Sequence, residues 1–354
     1  MGLDFIQSSI TYSSEKNAAT VTRREALRAF LALTAGAAFL PLTRSESRAA
    51  DAAAPAHTTT EPTGNAAIDK NMAAFEFAPL VTTKLNDSLA LLSGPGGNMA
   101  VLAGPNGALL VDTGVHPTAP SLAKGAEAFA GKAVTTVVNT HWHFDHTGGN
   151  EFFGRHGCNI VAHENVRTRL SHDQKIEQFD FTFRASPAGA LPTLTFSDVL
   201  TLHVGDEPVG LHYVQPAHTD GDVLVHFQKS NVLHMGDTFF NGFYPFIDFS
   251  TGGWIGGMVA AADHGLTLCN PQTRIIPGHG PLGTPAELSA FRDMLATVQG
   301  RIEKLLAAGK SVDEIVAAAP TKEFDEKWGQ GFFSAEPFVR NVTAGLIRRR
   351  QATA

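Results

Sequence analysis

The sequence predicts a layered α/β fold that ends in helices, and three observations predict it. Short β-branched runs bounded by Gly, Pro and Asn recur between residues 99 and 276. Segments of helical periodicity interleave with them and then take over toward the C-terminus. A chain of 354 residues, 43% of them hydrophobic and 17% charged, has ample length to bury a core between such layers.

In chain order, Met99 to Ala103 and Ala108 to Asp112 read as strands, Pro120 to Phe129 as a helix, and Val134 to Asn139 and Asn159 to Ala162 as further strands. Thr193 to Val204, Leu211 to Gln215, Val223 to Phe227 and Val232 to Met235 continue the strand pattern. Gly257 to Leu268 is helical, Thr273 to Ile276 supplies a late strand, and Pro285 to Ala308, Val312 to Ala318 and Glu336 to Arg350 close the chain as helices.

Ahead of this body the composition changes. Thr22-Arg23-Arg24-Glu25-Ala26-Leu27 precedes a 14-residue apolar run, Ala29 to Leu42, and small residues follow in Ser47 to Ala52. This order resembles a twin-arginine export signal, which implies residues 1–52 as a cleaved address and a periplasmic mature protein. The run falls short of the about 20 residues that span a bilayer, so no stable membrane anchor is expected after cleavage. Residues 53–76, rich in Ala, Thr and Pro, read as a flexible leader, and 77–354 as one folded domain. A net charge of −7 argues against a nucleic-acid partner, and residues 1–50, with six Lys and Arg against four Asp and Glu, leave a still more acidic remainder when removed. The expected partner is a small-molecule substrate; oligomeric state stays open. The two cysteines, Cys158 and Cys269, allow at most one bridge.

The 15 histidines direct attention to metal chemistry. His141-Trp142-His143-Phe144-Asp145-His146 leaves the strand ending at Asn139. Side chains two apart on extended backbone point the same way, so His141 and His143 can grip one cation while Asp145 and His146, at a bend, face another. Further donors follow strand-like runs: His218 in Pro216-Ala217-His218-Thr219-Asp220-Gly221-Asp222, Asp237 in Met235-Gly236-Asp237-Thr238, and His279 in Pro277-Gly278-His279-Gly280. His172 and His234 are ambiguous, and the other histidines read as ordinary core or surface groups.

This set resembles the metallo-β-lactamase-fold hydrolase superfamily, over about Pro79 to Leu282. The resemblance implies a four-layer αββα sandwich with metals at one edge. It implies His141, His143 and His218 on a first zinc, Asp145, His146 and His279 on a second, and Asp237 bridging both; iron or manganese would also suit these donors. Asp112 would support the metal loop from behind. Asp145 and Asp237 are the expected catalytic carboxylates, around a hydroxide shared by two cations that attacks an electrophilic carbon.

An aspartate rather than a cysteine at 237 points away from the thiolate-bearing β-lactamases and toward the glyoxalase II and lactonase branch, acting on an ester, lactone or thioester. Phe239 to Met258 is rich in aromatics, and Phe240, Tyr244 and Trp254 are the candidate pocket residues for an apolar or aromatic substrate. Alternatives are a hydrolytic dehalogenase of chlorinated aromatics, a β-lactam hydrolase, a metal-dependent redox or sulfur-transfer enzyme on the same fold, and a zinc-binding accessory protein without turnover.

Overall fold

A computed structural model describes residues 79–353; the expected export signal (1–52) and leader (53–76) lie outside the described residues. Strands β1 (Val81–Lys84), β2 (Leu89–Ser93), β3 (Met99–Leu102) and β4 (Ala108–Val111) form an antiparallel run. Helix α1 (Ala119–Ala130) leads into β5 (Val134–Val138), parallel to β4. The short helices α2 (Phe144–Thr147) and α3 (Asn150–Arg155) precede β6 (Asn159–His163). Helix α4 (Glu164–Leu170), the hairpin β7 (Gln174–Ile176) and β8 (Phe181–Phe183), and β9 (Leu194–Phe196) complete this half, in a seven-stranded sheet ordered β1-β2-β3-β4-β5-β6-β9 with the hairpin apart.

The second sheet runs in simple order through β10 (Val199–Val204), β11 (Glu207–Tyr213), β12 (Val223–Phe227), β13 (Val232–His234) and, after helix α5 (Ile255–Thr267), β14 (Arg274–Ile276). Helices α6 (Pro285–Ala307), α7 (Val312–Ala317), α8 (Asp325–Trp328) and α9 (Ala335–Thr353) follow. Capping boxes start two of them, Thr284 with Glu287 on α6 and Ser311 with Glu314 on α7.

The period-2 alternation of strand side chains builds the layers. Leu89, Leu91, Leu109 and Val111 point between the sheets and meet Val209, Val225 and Phe227. Their neighbours Ala90, Leu92, Val101 and Leu110 point outward onto Leu122 and Ala126 of α1 and Phe153 of α3. The outer face of the second sheet presents Leu224, Leu233 and Ile275 to Met258 of α5 and to Phe291 and Leu295 of α6. The result is helix, sheet, sheet, helix, the layering expected, with the C-terminal helices on the second sheet.

Several elements differ from expectation. Thr193 to Val204 is two strands: the chain turns at Ser197-Asp198, so that β9 pairs with β6 in one sheet and β10 with β11 in the other. The apolar alternation continues across this turn and conceals it. The strand expected at Leu211 starts at Glu207, because Pro208 and Gly210 weaken its signal. Strand β2 (LALLS) has a composition that suits a helix equally well. The expected bend at Asp145-His146 is the single turn α2. Cys158 is a buried free thiol that donates to the Val134 carbonyl (3.1 Å), and Cys269 is also free, so the two do not pair. Among the described residues no helix is long and apolar enough to cross a membrane.

Candidate metal centre

Strand ends assemble the site. Asp112 follows β4, the His141 to His146 loop follows β5, His218 lies between β11 and β12, Asp237 follows β13 and His279 follows β14. Because β4 and β5 are parallel, as are β13 and β14, these C-terminal ends open on one edge of the sandwich.

Two groups of donors converge there, His141, His143, His218 and Asp237 in one and Asp145, His146 and His279 in the other, all buried. Tetrahedral zinc bonds of 2.0–2.1 Å to nitrogen imply donor-to-donor edges of about 3.3 Å. In the first group His218 Nε2 lies 2.8 Å and His141 Nε2 3.2 Å from His143 Nδ1. Asp237 Oδ2 is 3.3 Å from His218 Nε2 and 3.8 Å from His141 Nε2. In the second, His279 Nε2 is 3.4 Å from His146 Nε2 and 3.2 Å from Asp145 Oδ2. The other Asp237 oxygen, Oδ1, lies 3.1 Å from His146 Nε2 and 3.4 Å from His279 Nε2. Asp237 thus turns one oxygen to each group.

Outward hydrogen bonds orient the rings and, in the first group, leave bare lone pairs on the inner nitrogens. His146 Nδ1 donates to Asp112 Oδ2 (2.7 Å), His218 Nδ1 to the Phe246 carbonyl (2.9 Å), His143 Nε2 to Asp248 Oδ2 (3.2 Å) and His141 Nδ1 to Thr140 Oγ1 (3.1 Å). In the first group each ring spends its proton facing away from the centre, so the lone pairs of His141, His143 and His218 crowd together. Asp237 Oδ1 is buried without a hydrogen-bond partner. In the first group the converging lone pairs and Asp237 Oδ2 repel one another unless a cation lies between them; in the second, His146 and His279 face Asp145 and Asp237 Oδ1 where a cation would stand in place of protons, so the donor set fits one cation in each group.

Charge is divided unevenly. Burial brings His218 down to about 4 and, with His146, holds His141 well below the ordinary imidazole value. At His279 burial is outweighed by Asp237 and Asp145, which push it up to about 9, and at His146 by Asp237, Asp145 and Asp112. Burial would raise Asp237, but His279, His146, His218 and His141 hold it well below the usual carboxylate range. A cation entering the second group would therefore displace protons from His146 and His279.

Backbone closeness matters as much as the donors. A Cβ at Gly97 would fall 2.0 Å from the His146 ring, so only glycine lets that loop pass. Asp112 holds a left-handed φ of 60°, tolerated by Asp better than by most residues, and there its carboxylate reaches Thr140 and His146.

Of the candidate pocket residues, Phe240 reaches the centre, its ring stacked on His279 at 5.4 Å between centroids. Tyr244 does not line the site: it is fully buried, stacks on Phe338 at 4.3 Å and donates its hydroxyl to Asp325 (2.8 Å), tying the second sheet's loop to the C-terminal helices. Trp254 lies under the Arg349 guanidinium at 3.9 Å, and its amide donates to the Ala217 carbonyl, an anchor for α5 and α9. Past Phe243 the chain turns down toward Trp328, whose carbonyl accepts from the Tyr244 amide, which is why proximity in sequence to Asp237 misleads there. His234 is buried outside both groups; its Nε2 donates to the Asn98 carbonyl (3.0 Å) and its Nδ1 accepts from Gly236, steadying the Asp237 turn. His172 is exposed and bonds the Thr168 carbonyl.

Asp248 escaped the sequence reading. It is buried, accepts from His143 and from Thr251 Oγ1 (2.6 Å), and is the one acid between Phe239 and Met258, a signal the sequence does carry. Asp248→Asn is expected to weaken cation binding by about 10–100-fold in a chelator competition titration, with the metal-free protein still folded; unchanged affinity would show that His143 needs no outer partner.

Residues 93–282 match the model of the metallo-β-lactamase superfamily. The chain is 28% identical over 238 residues to the 2,4-dinitroanisole O-demethylase subunit alpha of Nocardioides sp. (strain JS1661), covering 62% of this chain and 63% of that one. It is 32% identical over 112 residues to the hydroxyacylglutathione hydrolase of Maricaulis maris (strain MCS10), covering 31% and 36%. The alignments thus span less than two thirds of the length of either relative. Among solved structures, a metallo-β-lactamase from Pontibacter korlensis shares the fold with a TM-score of 0.52 at 21% identity, over 62% of this chain and 99% of that one. More than half of the chain, including every donor of both groups, falls within the matched family stretch, and the chain belongs to the metallo-β-lactamase superfamily.

Proposed function

We propose that this protein is a two-metal hydrolase in which His141, His143 and His218 hold one zinc, Asp145, His146 and His279 the other, and Asp237 both. The observation that carries the reading is the placement of Asp237, with Oδ2 toward His218 and Oδ1 toward His146. When bound, such a pair of cations lowers the pKa of water toward neutrality and polarises the bond to be attacked. Nitrogen and carboxylate donors without thiolate suit zinc, with iron or manganese next.

The protein's own groups set direction. Asp145, Asp237 and His279 keep about 5–6% exposure while His146 and His218 keep none, so substrate reaches the donors from the Asp145 to His279 side. Phe240, fully buried, backs His279 from behind, and Phe246, within 6 Å of His143 and His218, keeps a sliver of exposure, so the wall around the donors is apolar and favours an apolar substrate body. Asp145 keeps its Oδ2 toward His279 and His146 as a donor for the cation, so the leaving group would take its proton through water beside this carboxylate.

The substrate class is an ester, lactone or thioester with an apolar or aromatic body, in line with the hydroxyacylglutathione hydrolase relative. A second reading, displacement of a substituent by hydroxide on an activated aromatic ring, is favoured by the broader likeness to the dinitroanisole O-demethylase subunit. Elemental analysis and a panel of esters, lactones, thioesters, β-lactams, chlorinated aromatics and nitroaryl methyl ethers test both. Two equivalents of metal with turnover of a carbonyl substrate is the expected result; ring displacement alone would select the second reading, and a protein that takes up no metal after reconstitution would overturn both.

A further inference from the structure

We propose that Thr140 is a positioning residue whose hydroxyl couples the two donor groups, so that a cation in one prepares the other. The inference rests on the two-metal reading above and concerns a residue that is not itself a donor.

Thr140 is 1% exposed and fully engaged. Its amide donates to Asp112 Oδ1 at 2.8 Å and its hydroxyl to Asp112 Oδ2 at 2.7 Å. The same Oδ2 accepts from His146 Nδ1 at 2.7 Å, and the Thr140 oxygen accepts from His141 Nδ1 at 3.1 Å. The direction of every proton in this chain follows from its end: a carboxylate can only accept, so Thr140 must donate to it and keeps a lone pair for His141. One line of hydrogen bonds, His146 to Asp112 to Thr140 to His141, therefore joins a donor of the second group to a donor of the first behind the metal positions.

Thr140 also touches the other two donor loops. Its carbonyl accepts from the Val223 amide at 2.8 Å, where the His218 to Asp222 loop enters β12. Its side chain fills the space beside Gly236, where a Cβ would stand 2.8 Å from Thr140 Cβ and Oγ1, next to Asp237. A cation that fixes His146 pins Asp112; pinned Asp112 fixes the hydroxyl; the hydroxyl fixes the His141 ring. The cost of ordering these groups is met by whichever cation arrives first, which lowers the cost for the next. Asp112 alone cannot do this, because only the hydroxyl reaches His141.

The test is a cobalt(II) titration of the full chain, read by the visible spectrum and by chelator competition. Thr140→Val keeps the shape beside Gly236 and removes only the hydroxyl; Thr140→Ser restores it. The ratio of the two stepwise dissociation constants is expected to widen by about tenfold in Thr140→Val, and to stay within about threefold of wild type in Thr140→Ser. An unchanged ratio in the valine variant, or a serine variant no better than valine, overturns the proposal. If the valine variant does not fold, long-range proton–nitrogen spectra of the metal-free wild type decide: His141 protonated at Nδ1 supports the line of bonds, and protonation at Nε2 breaks it. Wild type that takes up fewer than two cobalt ions overturns the two-metal reading itself, a failure that stoichiometry separates from equal ratios in wild type and variant.

Discussion

Asp237→Ala is expected to lower kcat/KM by about three orders of magnitude or more, since on the two-metal proposal several kcal/mol of transition-state stabilisation would come from cations sharing this carboxylate. No other side chain reaches both His218 and His146 with separate oxygens among the described residues. The sandwich core lies elsewhere, between Leu89, Val111 and Val225, so the metal-free variant is expected to fold. Turnover, metal content and metal-free melting temperature, measured on one preparation, check this. Near wild-type turnover with two cations retained would remove Asp237 from its role.

Gly278→Ala is expected to disable the site without touching a donor. A Cβ there would stand 1.9 Å from Asp237 Oδ1 and 2.6 Å from the Gly236 carbonyl carbon. Nothing can relax cheaply, because the Gly278 amide donates to Gly236 and its carbonyl accepts from Asn98, each at 2.7 Å. Asp237 must move, and both groups lose their common member. Metal content is expected to fall below two equivalents and stability by about 1–3 kcal/mol, as in other overpacked cores. Gly300→Ala in the middle of α6, where a Cβ meets nothing within 4 Å, is the matched control and is expected to be neutral or stabilising. Full metal content in Gly278→Ala would show that the loop has more freedom than its hydrogen bonds imply.

How legible each feature was depends on how local it is. His141, His143, Asp145 and His146 lie within six residues on one loop, so spacing alone exposes them. Asp237 and His279 stand in short Gly-flanked turns after strands, and the close packing of Gly278 on Asp237 shows why glycine sits there. Asp248 and Thr140 act through partners distant in sequence or through a neighbour's ring, and nothing in the residues beside them marks the orientation of an imidazole. Gly97 clears His146 across 49 positions of chain, a relation that exists only after folding. Tyr244 and Trp254 misled for the opposite reason: they follow Asp237 by 7 and 17 positions, but the backbone leaves the edge of the sandwich, and the C-terminal helices, legible as helices but not as neighbours of this segment, claim both rings. The break in Thr193 to Val204 was hidden because the hydrophobic period of two survives a turn that changes sheets.

That turn divides the molecule. All strands of the first sheet precede Ser197 and all strands of the second follow Asp198, so the chain crosses between the sheets once. Each donor group takes two members from each side of the crossing: His141 and His143 with His218 and Asp237, and Asp145 and His146 with His279 and Asp237. Among the described residues, neither side of the crossing alone supplies all the members of either group. The metals would then act as clasps between two half-sandwiches, their binding energy appearing as affinity of one half for the other. On the two-metal proposal, two fragments cut at Ser197-Asp198 are expected to reassemble more tightly as free metal rises.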